Sequence, residues 1–200
     1  MKNITRRQAL HVIGISTAAA GALGRRAFAQ GPTFPKGAII RTLLKDYAPE
    51  ELAGGATLFH EHMSLGPDFN EKFRAATAAV RAAQGLPALP GRAGGPPAAP
   101  PGSDPMRDVE LMAEELSTAK RDGVACIVDG GHPDMGRDLN FVRQASMKSG
   151  LPVVAGCGFY SQPFYPKEIS TMSAEQIVQA LIKQADEDPA GAFGEIGSWD

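Results

Sequence analysis

An α/β fold built on a parallel sheet is what this 200-residue sequence predicts, and three observations lead there. Four short strand-like runs, each ending in small or chemically functional residues, appear from residue 56 onward. The two middle runs are almost continuously apolar, as strands buried on both faces of a parallel sheet must be. Between the later runs the apolar residues recur at helical spacing, and strand alternating with helix implies right-handed βαβ units.

The first run is 56–62 (ATLFHEH), the second 124–129 (VACIVD), the third 152–158 (PVVAGCG) and the fourth 192–197 (AFGEIG). Val109, Met112, Leu116 and Ala119 mark a helix before the second run. Leu139, Val142, Ala145 and Met147 mark another, less strictly spaced, with Asp138 placed to cap it. Ser173 followed three residues on by Gln176 reads as a capping box that opens a helix through Leu181 toward Ala185. Residues 85–105 are almost all Gly, Pro and Ala, too small to bury a face and too rich in Pro for helix. They are expected to form a flexible surface insertion in the first strand-to-helix connection.

Residues 1–29 read as a leader and stand apart from the domain, 30–200. Lys2, Arg6 and Arg7 precede an Ala-rich apolar stretch, Arg6-Arg7 has a twin-arginine setting, and Ala27-Phe28-Ala29 is a small-x-small cleavage site. The expectation is export by the twin-arginine route to a periplasmic or extracellular location, with no stable membrane insertion after cleavage. Twenty basic and 22 acidic residues leave a net charge of −2, which provides no footprint for nucleic acid. A small-molecule substrate is the expected partner, and a homodimer the commonest oligomer. The two cysteines, Cys126 and Cys157, are too few for a disulfide framework and read as buried thiols on neighbouring strands, with pairing left open.

The strongest chemical signal is His60-Glu61-His62 at the end of the first run. Side chains two apart on a strand point the same way, so both imidazoles can converge on one divalent ion while Glu61 faces away. The second signal is Glu195, a carboxylate flanked by Gly194 and Gly197 in an apolar run, where burial demands a counter-charge or a metal. Asp129, at a strand end, is a candidate to orient a ligand histidine. His132 and Asp134 are candidate substrate contacts or supports behind the ligands, although a Gly-Gly-His-Pro turn is more simply a polar loop. Tyr160 is a candidate pocket wall or, equally, a loop-packing ring.

Together these segments resemble the phosphotriesterase-like branch of the amidohydrolase superfamily. The carriers are GATLFHEH at 55–62, Ile127-Val128-Asp129 with Asp134-Met135-Gly136-Arg137-Asp138, and PVVAGCGFY at 152–160. The resemblance covers residues 37–200. It implies a (β/α)8 TIM-type barrel, of which this chain holds about the first four βα units. It also implies two divalent metal ions, Zn²⁺ first, with Mn²⁺, Co²⁺ and Fe²⁺ also suited to such ligands. His60 and His62 would hold the more buried ion and Glu195 would bridge both, where the phosphotriesterases proper use a carboxylated lysine. The Glu-Ile-Gly context is shared with the TatD-like metallohydrolases, and the Gly136-Arg137-Asp138 loop favours the phosphotriesterase side. The family's other ligands, two histidines and a proton-shuttling aspartate from later strands, have no counterpart in these 200 residues. The expectation is therefore the N-terminal half of a hydrolase that uses metal-activated water on a lactone, carboxyl ester or organophosphate. The alternatives are a half-barrel that binds metal or ligand without turnover, and an amidohydrolase acting on C–N bonds.

Overall fold

The computed structural model describes residues 32–89, 104 and 106–197. The leader and most of the Pro-rich segment, 90–103 and 105, lie outside the described residues. The chain divides into Met1–Lys36 and Gly37–Asp200, and every described element belongs to the second unit.

A short antiparallel hairpin comes first, β1 (Ile40–Arg41) and β2 (Asp46–Tyr47), followed by a single helical turn, α1 (Pro49–Leu52), with Pro at its start. Then follow β3 (Ala56–Glu61), α2 (Phe69–Ala83), α3 (Val109–Arg121), β4 (Val124–Asp129), α4 (Leu139–Ser149), β5 (Val153–Cys157), α5 (Ala174–Glu187) and β6 (Ala190–Phe193). Strands β3 to β6 pair in chain order, all parallel, in one four-stranded sheet. The molecule is thus a mixed α/β protein with the helix-connected parallel sheet that the alternation predicts.

Local chemistry sets the helix ends. The Asp108 carboxylate accepts from the Glu110 and Leu111 amides at the start of α3, and Asp138 accepts from Phe141 at the start of α4. The predicted capping box of α5 forms in full, with Ser173 Oγ accepting from Gln176 N and Gln176 Oε1 accepting from Ser173 N. Helix α4 stops at Gly150, which takes the left-handed φ of 65°.

The alternation of side chains divides the core between the two faces of the sheet. Ile127, Val153 and Ala155 point to one face and meet Leu116 of α3 and Phe141, Val142 and Ala145 of α4. Cys126, Val154 and Ala192 point to the other, where Leu52 and the hairpin residues Ile40 and Tyr47 cover them. The hairpin is tied to the sheet by the Leu43 amide, which donates to the Val153 carbonyl at 2.8 Å. It comes so close that a side chain at position 191 would collide with the Arg41 carbonyl and with Val154, which explains Gly191. The outer strands are the least covered, with Phe59 of β3 80% and Phe193 of β6 65% exposed.

The structure departs from the sequence reading at three elements and decides one question that the sequence left open. Helix α2 was not predicted: its apolar face is short, Phe69 being its one buried residue, and Ala fills much of its length. The first strand ends at Glu61 rather than His62. The last strand lies at Ala190–Phe193, so residues 194–197 are a turn beyond it. Finally, a bridge between Cys126 and Cys157 is excluded. Ile127 pairs with Val153, which sets Cys126 opposite Pro152, and Cys157 lies five residues farther along the ladder. That separation is about 16 Å, far beyond disulfide reach, and both thiols are free and buried. No described helix is long and apolar enough to cross a membrane.

The fully buried Leu151 sits where α4 hands over to β5. Leu151→Ala is expected to lower unfolding free energy by about 2–5 kcal/mol, whereas Met147→Ala, on the solvent side of α4, changes it by less than about 0.5 kcal/mol. Urea denaturation followed by circular dichroism measures both.

Candidate metal centre

Parallel pairing puts the C-terminal ends of β3 to β6 along one edge. The ladder of β3 slips there: Leu58 faces Ile127 and Glu61 faces Asp129, so β3 spends one residue more than β4 over the same span. This bulge turns the strand end just where His60 and His62 stand. Across the edge, the chain leaves β6 and turns back at Glu195, whose φ of 30° is the one positive value among the described non-glycine residues. Such a conformation costs of order 1–3 kcal/mol and persists only where the surroundings impose it.

The two histidines and the glutamate meet. His62 Nε2 is 2.9 Å and His60 Nε2 3.2 Å from the same oxygen, Glu195 Oε2. One ligand atom from each side chain lies within 4.8 Å of the other two. Glu195 Oε2 is buried, yet neither contact has hydrogen-bond geometry, and the oxygen has no hydrogen-bond partner. Two ring nitrogens and a carboxylate oxygen that converge in this way form a donor set suited to a divalent cation. Gly130, at the end of β4, keeps the approach open: a Cβ there would stand 3.2 Å from His60 Cδ2 and 3.6 Å from Glu195 Oε2. A cavity of about 230 Å³ opens at this point, with Phe59, His60, Asp129, Gly130, Phe193 and Glu195 among its walls. Glu61 is exposed, as is every other residue of β3, and it is not among the converging side chains.

Behind the cluster lies a buried polar layer. Asp129 is fully buried; its Oδ1 accepts from the Met63 and Gly131 amides, and its Oδ2 has no partner. Burial holds its carboxyl above the ordinary range, against the pull of those amides, Arg137 and His62. Nδ1 of His62 is likewise buried and unpartnered. The expected orienting role thus has its charge partner nearby, but no Asp129–His62 hydrogen bond is made. Arg137, within the Gly136-Arg137-Asp138 run, donates from Nη1 to the Gly131 and Gly156 carbonyls at 2.8 and 2.6 Å, joining the ends of β4 and β5. The sequence signals for Gly130 and Arg137 were modest: a Gly-Gly pair closing an apolar strand, and one basic residue in the loop after it.

His132 is no surface loop residue. It is fully buried against Gly158 and Gly194, and neither ring nitrogen has a hydrogen bond. Burial first, and then the Arg137 charge, push it down to about 4, while the Gly194 backbone and the Glu195 charge pull the other way. Asp134 Oδ2 accepts from the Tyr160 amide at 2.8 Å, and burial raises its carboxyl above the usual range. The Tyr160 ring lies within an aromatic group, 5.2 Å from Phe164 and 5.9 Å from Phe69 between ring centres.

Fold and site together define a class: α/β proteins that gather metal-ligating side chains at the C-terminal ends of parallel strands. The Phosphotriesterase family profile matches residues 48–193, and the chain belongs to that family. Over 94 residues it is 25% identical to the phosphotriesterase homology protein of Escherichia coli, covering 44% of this chain and 32% of that relative. Over 100 residues it is 31% identical to the N-acetyltaurine hydrolase of Rattus norvegicus, covering 46% of this chain and 29% of that one. The crystal structure of a resiniferatoxin-binding protein from Rhodobacter sphaeroides superposes with a TM-score of 0.53 at 23% identity, over 80% of this chain and 44% of that chain. The chain therefore matches about a third of the length of these curated relatives.

The depressed His132 gives a pH prediction. A histidine whose folded pKa lies near 4 instead of 6.5 contributes stability that is complete above pH 6.5 and is lost as pH falls toward 4. The loss amounts to roughly 3 kcal/mol. Raised carboxyls such as Asp129 and Asp134 have the opposite sign, so the group is best read directly. NMR of the histidine rings is expected to find His132 neutral at pH 6 and charging only near pH 4. A midpoint near 6.5 would contradict this.

Proposed function

We propose that this chain is the N-terminal portion of an exported, metal-dependent hydrolase whose barrel is completed by further βα units. The observation that carries the reading is the convergence of His60, His62 and Glu195 on one point at the strand ends. His60, His62 and Glu195 would hold the divalent metal, Zn²⁺ first, with two ions the expected complement. The Glu195 charge offsets part of the charge of the cations, which makes its burial favourable. Divalent cations held there lower the pKa of water into the neutral range and polarise a carbonyl or phosphoryl oxygen.

The residues of the chain do the rest. Asp129 lies close enough to His62 for their charges to interact, although no hydrogen bond joins them. His132 stays neutral at physiological pH and adds no positive charge to a site that must hold cations. Gly130 leaves room for a substrate oxygen to approach. The substrate is a small molecule with an ester-like bond, a lactone, carboxyl ester or organophosphate, admitted through the cavity beside Phe59 and Phe193. A second reading, hydrolysis of an amide, is favoured by the N-acetyltaurine hydrolase relative. Site residues that bind without turnover are the third.

Equilibrium dialysis of the purified chain against Zn²⁺ is expected to load the wild type. His60→Ala, His62→Ala and Glu195→Gln are expected to weaken loading by tenfold or more each. Equal loading of all four proteins would remove the metal centre. The loaded chain, alone and in a frame extended past Asp200, is then assayed with a δ-lactone, an aryl acetate, a dialkyl aryl phosphate and an N-acyl amine. Turnover of the last alone moves the assignment to C–N bonds, and metal binding without turnover of any leaves the binding reading.

Export is tested separately. The protein is expected in the periplasmic fraction with its amino terminus just past Ala29, and Arg6→Lys with Arg7→Lys is expected to hold it in the cytoplasm. Unchanged fractionation of that variant would refute the twin-arginine route.

A further inference from the structure

Sheet pairing does not explain the placement of Glu195, because β6 ends at Phe193 and the glutamate sits two residues beyond. Hydrogen bonds outside the ladders hold it. Upstream, the Gly194 amide donates to the Cys157 carbonyl at 3.2 Å. Downstream, the Gly197 amide donates to the Tyr160 carbonyl at 2.7 Å, and the Tyr165 hydroxyl donates to the Gly197 carbonyl at 2.9 Å. The Tyr160 peptide is itself held from the other side, since its amide donates to Asp134 Oδ2 at 2.8 Å. An unbroken path therefore runs from the turn after β4, through the backbone after β5, to the turn that carries Glu195.

We propose that Asp134 and Tyr165 are positioning residues for Glu195, clamping segment 194–197 so that its carboxylate faces His60 and His62 in an otherwise unfavourable backbone conformation. The proposal rests on the metal-centre reading for its purpose, though not for its geometry. Neither residue is among the converging ligand side chains, which are His60, His62 and Glu195. Tyr165 lies in the loop before the 3-10 turn Lys167–Thr171, and Asp134 in the 3-10 turn Pro133–Met135. The Asp134 side chain is 3% exposed, so its bond to the Tyr160 amide is shielded from competing water. Gly158, at a φ of 139°, lets the backbone after β5 turn so that Tyr160 and Tyr165 reach the segment.

The test uses the full chain as wild type, Tyr165→Phe, Asp134→Ala and Asp134→Asn. Two quantities are read: the backbone ¹³C shifts of Glu195 in the metal-free protein, which report its positive φ, and the affinity for Co²⁺ with the visible spectrum of the bound ion. Tyr165→Phe and Asp134→Ala are expected to move the Glu195 shifts toward ordinary values. They should also weaken Co²⁺ binding about tenfold or more, with an altered spectrum. Asp134→Asn keeps an acceptor for the Tyr160 amide and is expected to bind within about threefold of the wild type. Leu151→Ala, destabilised but remote, should leave both readouts unmoved. Tyr165→Phe is conservative enough to stay folded, and wild-type shifts and affinity in that variant would overturn the proposal. Shifts that move while the wild type itself binds no Co²⁺ would uphold the clamp and refute the metal-centre reading instead.

Discussion

Four strands running the same way, β3 beside β4 beside β5 beside β6, leave all of their C-terminal ends on one edge of the sheet. Parallel pairing requires a crossover between each pair of strands, and the helices that make these crossovers cover one face. What remains at the edge are the residues that have just left a ladder, and their side chains no longer have to alternate. His62, Gly130, His132 and Glu195 all lie within a few residues of a strand end. The chemistry of the molecule is a consequence of that shared edge.

The polar layer behind the edge is held together without complete hydrogen bonding. Asp129, His132, Asp134 and Arg137 are all buried or nearly so, and each has at least one side-chain polar atom without a partner. Burial dominates the ionisation of all four, raising the carboxyls and lowering the two bases. Arg137 limits the damage by capping two strand-end carbonyls, of Gly131 and Gly156, that have run out of ladder partners. An arrangement this costly to bury is characteristic of sites where function outweighs stability. It agrees with a cluster of ligand groups whose shared carboxylate oxygen accepts no hydrogen bond.

Membership of the phosphotriesterase family is compatible with more than one bond type. Two histidine nitrogens and a carboxylate are a donor set suited to a cation, whereas selection among esters, phosphoesters and amides depends on the walls around such a site. Phe59 and Phe193, on the two outer strands, are exposed beside the cavity.

Much was legible in the sequence because the signals were local. The apolar run at 124–129 is strand β4 to the residue, Ser173 and Gln176 cap α5 as their spacing implies, and Asp138 caps α4. His60 and His62 stood out because their two-residue spacing falls at a strand end, where both side chains can face one point. Helix α2 was missed although its apolar stripe is as regular as those of α3 and α4; much of that stripe is alanine, and only Phe69 is buried. The sequence by itself determined the strand and helix alternation and the caps, and it singled out the side chains that converge at the strand ends, since propensity and spacing act over a few residues. Only the tertiary structure decided that the last strand ends before Glu195, that a bulge turns His60, and that His132 is buried beneath the site. Each of these depends on which segments become neighbours across the sheet, and contacts between residues tens of positions apart leave no local trace.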